Sequence, residues 1–274
     1  MTERSSFARR RPFLVGAIVG GTVCLLVLLI GFLVTNSQAQ RVAADQQDSP
    51  ESQALLLEAA AQDQIDLGNH ETAVALLTRA IDLAPHRSEF FYTRAIAHSG
   101  LEDFDKALSD FDVAVEANPH WALPLAGRGT AHNAMGNLDS AISDLSDAIH
   151  LEPGEASLYT NRGQVYHQRG ELELARDDFN LAVQLAPDSV AARFNRGVLL
   201  YAVGRAEDAV EDFSHIIAID PLQAPSYLNR GLILAELDEA DLARADLEQF
   251  IALSENPEWV DLARNALAQL DGES

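Results

Sequence analysis

Arg94, Arg128, Arg162, Arg196 and Arg230 stand 34 residues apart, and Asp110, Asp144, Asp178, Asp212 and Asp246 follow in step, each 16 residues further on. A guanidinium is a planar fork of N–H donors that one carboxylate can accept two at a time. The spacing therefore offers two kinds of chemistry. Either each arginine pairs with its aspartate inside the fold, or the row of guanidinium groups lines a surface for an anionic ligand. One copy upstream, both types are missing together, with Ala60 and Leu76 in their places. That joint loss favours structural pairing.

Other chemistry is sparse. His98 and His132 also stand 34 residues apart, but the next residue in that series is Tyr166, so an aromatic packing position accounts for them. With no cysteine nearby and no His-Glu-x-x-His spacing, no metal site and no cofactor are expected. No Gly-rich phosphate loop or nucleophile elbow is present. Among 42 acidic residues, no carboxylate pair stands out for acid–base work. No catalytic residue is assigned, and the chain reads as a non-enzyme.

The arginines and aspartates must be positioned by whatever repeats every 34 residues. Pro85, Pro119, Pro153, Pro187 and Pro221 share that period, which divides the chain into copies 54–87, 88–121, 122–155, 156–189, 190–223 and 224–257. Position 20 of the copy is always alanine (Ala73, Ala107, Ala141, Ala175, Ala209, Ala243), and position 24 is always bulky (Leu77, Phe111, Leu145, Phe179, Phe213, Leu247). Four residues apart, they share one helical face, which position 27 continues. Gly68, Gly136, Gly170 and Gly204 at position 15 predict a turn that needs positive φ. An acid at position 18 of every copy suits the start of a second helix, and the proline ends it. Each copy reads as helix, turn, helix. After the last, Asn256-Pro257-Glu258 predicts a capping helix within 258–274, with an apolar stripe of Trp259, Leu262, Ala263, Ala266 and Leu270.

With a small residue at position 8 (Gly129, Gly163, Gly197), alanine at 20 and 27, bulk at 24 and proline at 32, the chain resembles the tetratricopeptide-repeat family. The first and last copies match less well, as end repeats do, because each faces solvent on one side. The resemblance implies an all-α, right-handed solenoid of helical hairpins that binds proteins or peptides. It also implies that the first helices line a concave face meeting the ligand through positions 2, 5, 6, 9, 12 and 13. Carried onto this sequence, those positions include Tyr92, Ile96, Thr130, Thr160, Asn161, Gln164, His167, Phe194, Asn195, Val198, Tyr201, Asn229 and Leu232. Asn161, Asn195 and Asn229 form a ladder suited to the backbone of an extended peptide, or to satisfying the scaffold itself. The family's lysine-based capture of C-terminal carboxylates is not expected, since the nearest lysine, Lys106, lies outside the groove.

Residues 1–12 form a basic arm with Arg4, Arg9, Arg10 and Arg11, and residues 13–34 run for 22 positions without a charge. That length spans a hydrocarbon core of about 30 Å, and the positive-inside rule places the arm in the cytoplasm and the repeats on the extracytoplasmic side. The expectation is a single-pass signal anchor followed by a flexible linker, 35–53, in which Ser49-Pro50 opens the first helix. Cleavage after Ser37-Gln38-Ala39 would instead release a secreted or periplasmic protein, and Arg10-Arg11 resembles a twin-arginine signal; each route exports the repeats. Gly16 and Gly20 make a small-xxx-small pair that could support a weak homodimer. Cys24, inside the apolar run, is the sole cysteine, so the body is held by packing without disulfides.

The chain carries a formal net charge of −23, with four of its 19 basic residues in the first twelve positions, which excludes nucleic acid as a partner. The functional expectation is a membrane-anchored scaffold for a protein or peptide partner. The alternative is a structural subunit of a membrane complex.

Overall fold

A computed structural model describes residues 49–272. The basic arm, the apolar run 13–34 with Gly16, Gly20 and Cys24, and most of the linker lie outside the described residues. Thirteen α-helices and no strand occur among the described residues. They pair as α1 (Pro50–Asp66) with α2 (His70–Leu83), α3 (Ser88–Gly100) with α4 (Phe104–Ala117), and α5 (Ala122–Ala134) with α6 (Leu138–Leu151). Next come α7 (Ala156–Gln168) with α8 (Leu172–Leu185), α9 (Val190–Ala202) with α10 (Ala206–Ile219), and α11 (Ala224–Glu236) with α12 (Ala240–Leu253). The last helix, α13 (Pro257–Gly272), closes the stack. Among the described residues no helix is long and apolar enough to cross a membrane.

Each end of the stack has its own start signal. Ser49 Oγ accepts from the Ser52 amide at 3.1 Å, and Pro50 fills the first helical position. Helix α1 therefore begins at Pro50, so residues 50–53 belong to the solenoid and not to the linker that the domain division gave them. At the other end, Asn256 Oδ1 accepts from the amides of Glu258 at 3.0 Å and Trp259 at 3.3 Å.

Within a hairpin, alanine and bulk interlock. All six alanines at position 20 are fully buried, as are Leu77, Leu145, Phe213 and Leu247 at position 24. Position 8 explains why: a Cβ on Gly163 would sit 2.7 Å from the Phe179 ring, and one on Gly129 would sit 2.9 Å from Leu145 Cγ. The absence of a side chain there lets the two helices close onto the bulky residue. In the second hairpin Ala95 takes the place of glycine, and Phe111 instead occupies the space left by Gly127 in the following hairpin, within 2.5 Å of where a Cβ would stand.

Position 15 adopts positive φ in every hairpin. The four glycines lie at 76–81°, and Glu102 (57°) and Asp238 (61°) hold the same conformation. The turn is common to all because it lets the next two amides return to the first helix: Gly68 N donates to Ile65 O at 2.9 Å and Asn69 N to Gln64 O at 2.8 Å. Side-chain identity follows this need in four copies and departs from it in two.

Candidate peptide-binding groove

First helices of successive hairpins touch one another along the stack from α1 to α13, whereas successive second helices do not. Helices that touch while their partners diverge must line the inner side of a curved stack. That surface is the candidate site, and the Arg–Asp pairs fix its geometry from behind.

Arg94 Nε donates to Asp110 Oδ2 at 2.7 Å and its Nη2 donates to Oδ1 at 2.8 Å. The other four arginines grip their aspartates the same way, with distances of 2.7–2.9 Å. Each aspartate is buried. The third guanidinium nitrogen reaches back to the preceding hairpin: Arg94 Nη1 donates to Thr78, Arg128 to Asp112, Arg162 to Ser146, Arg196 to Asn180 and Arg230 to Ser214. Every pair is thus also a clamp between neighbours, through position 25. Hydrogen bonding to its aspartate, above all, holds each of Arg128, Arg162, Arg196 and Arg230 above the usual guanidinium range. These guanidinium groups are committed to the scaffold.

Position 4 adds a ring to this arrangement. Phe91, Tyr159 and Tyr227 lie under Arg94, Arg162 and Arg230, with centroid distances of 5.5–6.0 Å. In the fifth hairpin Arg193 replaces the ring and donates to Asp212 at 2.9 Å, so one carboxylate holds two guanidinium groups.

The thirteen groove positions divide by what they touch. Tyr92 packs its ring 4.8 Å from Trp121 and 6.1 Å from Phe111, and Phe194 meets Phe213 edge-on at 5.5 Å. Burial raises the Tyr92 hydroxyl above its ordinary range. These two rings serve the core with one side and the inner face with the other. Thr160 is 5% exposed and its hydroxyl bonds to Ala156 O, so, contrary to expectation, it is not open to a ligand. Thr130 is exposed but likewise bonds back along its helix, to Ala126 O.

The asparagines are split. Asn195 and Asn229 each donate one amide hydrogen to the carbonyl four residues before, at 2.8 Å, leaving their Oδ1 atoms outward. The Asn161 side chain makes no hydrogen bond among the described residues. Ile96, Val198 and Leu232 are half-buried, and Gln164 and Tyr201 are exposed, as His167 is in part. The ladder ends at Gly127, where the ring of Phe111 needs the space.

The inner face deepens at its carboxyl end. Tyr201, Asn229, Leu232, Ile233 and Glu236 meet Ala266, Gln269 and Leu270 of α13 around a cleft of about 330 Å³. The Tyr201 hydroxyl donates to Glu236 at 2.5 Å, and this bond holds the phenol above its ordinary range. Glu236 stands at groove position 13 of the sixth copy but was not singled out in the sequence, because its contact with Tyr201 depends on the register between two hairpins. Among the described residues no group of three or more His, Cys, Asp or Glu is arranged to hold a metal ion.

Matches to the tetratricopeptide-repeat family profile cover residues 58–120, 127–190, 182–224 and 224–257, most of the chain. The chain belongs to the tetratricopeptide-repeat family. No curated protein matches it in sequence. Among solved structures, a thermophilic tetratricopeptide-repeat protein of Thermus thermophilus, TTC0263, is similar at 23% identity, with a TM-score of 0.59 over 66% of this chain and 98% of that one. YrrB, described as having an unusual peptide-binding site, matches at 22% identity and TM-score 0.53, over 69% of this chain and 97% of its own. PilF of Pseudomonas aeruginosa matches at 16% and 0.68, over 79% and 98%. At these identities the likeness concerns the fold. As a tetratricopeptide-repeat protein the chain is an all-helical scaffold suited to protein or peptide binding, and α13 occupies the place of a first helix that ends the stack.

Proposed function

We propose that this tetratricopeptide-repeat protein is tethered to a membrane by residues 13–34, holds its repeats on the extracytoplasmic side, and docks an extended protein segment along its inner face. The observation that carries the docking is the row of first helices whose inward side chains combine open apolar groups with unused amide capacity. Val198, Tyr201 and Leu232 supply apolar contact, and Asn161, Asn195 and Asn229 supply acceptors and donors at the spacing of the repeat. Recognition rests on shape and hydrogen bonding, without turnover. The tether is supported by the 22 uncharged residues that follow four arginines.

Val198→Asp and Leu232→Asp, in the full chain, test the docking on an array of immobilised peptides. Both side chains are partly open but also pack on core clusters, so urea denaturation accompanies the binding; in variants that stay folded, peptide retention should fall about tenfold or more. Retention equal to the parent's would remove the inner face as the site. Alanine at Tyr92 or Phe194 is a poorer probe, since it would also hollow the core. Protease added to intact cells tests the topology: digestion of the repeats supports export, and protection of them refutes it.

The alternative, a structural subunit of a membrane complex, has support from the amino-terminal end of the stack, where Leu56 and Leu67 are 69% and 71% exposed. Crosslinking between Gly16 and Gly20 of two copies, after cysteine substitution, would support assembly through the span.

A further inference from the structure

We propose that the segment docked on this groove is cationic and apolar, bound through its interior and not through its carboxyl terminus, with one large apolar side chain in the cleft between α11 and α13 and a basic residue beside it. The proposal rests on the docking reading above and narrows its ligand class.

The first ground is the sign of the surface. At positions 2, 5, 6, 9, 12 and 13 of all six repeats the charged residues are Glu58, Asp66, Glu89 and Glu236; none is lysine or arginine. Glu89 lies 3.4 Å from Arg87, whose charge also acts on Glu58. The five position-7 arginines point the other way, into their aspartates. Toward a ligand, the groove therefore presents carboxylates, neutral polar groups and apolar groups, with no lysine or arginine among its positions. An acidic segment or a free terminal carboxylate would be desolvated here against like charge, with no cation to compensate.

The second ground is the cleft. Leu232, Ile233, Ala235, Ala266 and Leu270 supply the apolar part of its lining, and its volume suits one large side chain and the backbone that carries it. Glu236 is an exposed member of the same lining. Its hydrogen-bonding partner is the Tyr201 hydroxyl and it has no ion pair among the described residues, so its exposed carboxylate is open to a cationic partner. A lysine or arginine next to the seated side chain would meet that carboxylate, while its aliphatic stem covered apolar surface. The tyrosine hydroxyl already donates to one carboxylate oxygen and so orients the group before any ligand arrives.

Terminally blocked decapeptides test this directly with the full chain. The reference probe carries Phe followed by Lys in a Ser/Ala background; the others replace Lys by Glu, replace Phe by Ala, or leave the C-terminus free and move Phe-Lys away from it. By fluorescence anisotropy the blocked Phe-Lys probe should bind about tenfold more tightly than the Glu version and weaken as salt rises. Glu236→Gln should shrink that ratio, and Glu236→Lys, also exposed and so compatible with folding, should invert it. Equal or tighter binding of the Glu probe, or a requirement for the free carboxylate, overturns the proposal and leaves peptide docking standing. If neither these probes nor a random-sequence array is retained by the parent protein, the docking reading fails as well.

Discussion

Asp212 is the most demanding side chain in the molecule, because its carboxylate, 1% exposed, is shared by Arg193 and Arg196. Asp212→Ala leaves two guanidinium groups without their acceptor and should cost about 3–5 kcal/mol. Asp110→Ala strands one arginine, which keeps Thr78 and the Phe91 ring, so its loss should be smaller. Urea denaturation of the two variants checks the order; equal losses would mean that Arg193 adds nothing. At Glu102 the backbone, at φ 57°, carries a side chain that favours other conformations, so Glu102→Gly should stabilise by about 1 kcal/mol. Burial, the largest cause, lowers the His98 pKa, so the folded state binds fewer protons than the unfolded state near the ordinary value of 6.5. Stability should therefore fall on acidification through that value, and His98→Tyr, which installs the residue found at Tyr166, should flatten that slope in denaturation between about pH 7.5 and 5.5.

The pairing of helices was legible because six copies vote on each position. Alanine at 20, bulk at 24 and proline at 32 each answer a single steric demand, so the residue type itself recurs. Position 25 answers a weaker demand, a polar atom within reach of the next arginine, and Thr78, Asp112, Ser146, Asn180 and Ser214 all meet it. No single type is kept there, and the clamp between hairpins stayed hidden in the sequence. The groove was legible as a set of positions but not as a set of environments: Thr160 is closed off, and the Tyr201–Glu236 contact depends on a register that one copy alone does not contain. Phe111 shows how neighbouring hairpins constrain one another. Because its ring fills the space beside Gly127, Gly127→Asn, which would complete the asparagine ladder, should instead destabilise by about 1–3 kcal/mol through overpacking, measurable by thermal melting.

The stack has no single core. Separate apolar clusters follow one another along it, from Ala54, Leu77 and Phe90 at one end to Leu228, Leu247, Phe250 and Val260 at the other. Stability in such an arrangement is close to a sum of hairpins and their interfaces. Helix α13 covers the last cluster with Val260, Ala263 and Leu267, so ending the chain after Ser254 should expose Leu228 and Phe250 and lower the melting temperature. Hydrogen exchange should be graded in the same way. Amides of α1 and α2, whose hairpin has Ala60 and Leu76 in place of an Arg–Asp pair, should exchange faster than those of α9 and α10, around Asp212.

The first hairpin lacks the internal Arg–Asp pair of the other five, and this also decides how the protein yields to tension. A load entering through the first helix meets this unit first, and it can peel away once Arg94 gives up Thr78, while Arg94 keeps its grip on Asp110 and the hairpins beyond stay latched. The solenoid would behave as a series of latches released from one side, with the cleft beside α13 the last to open.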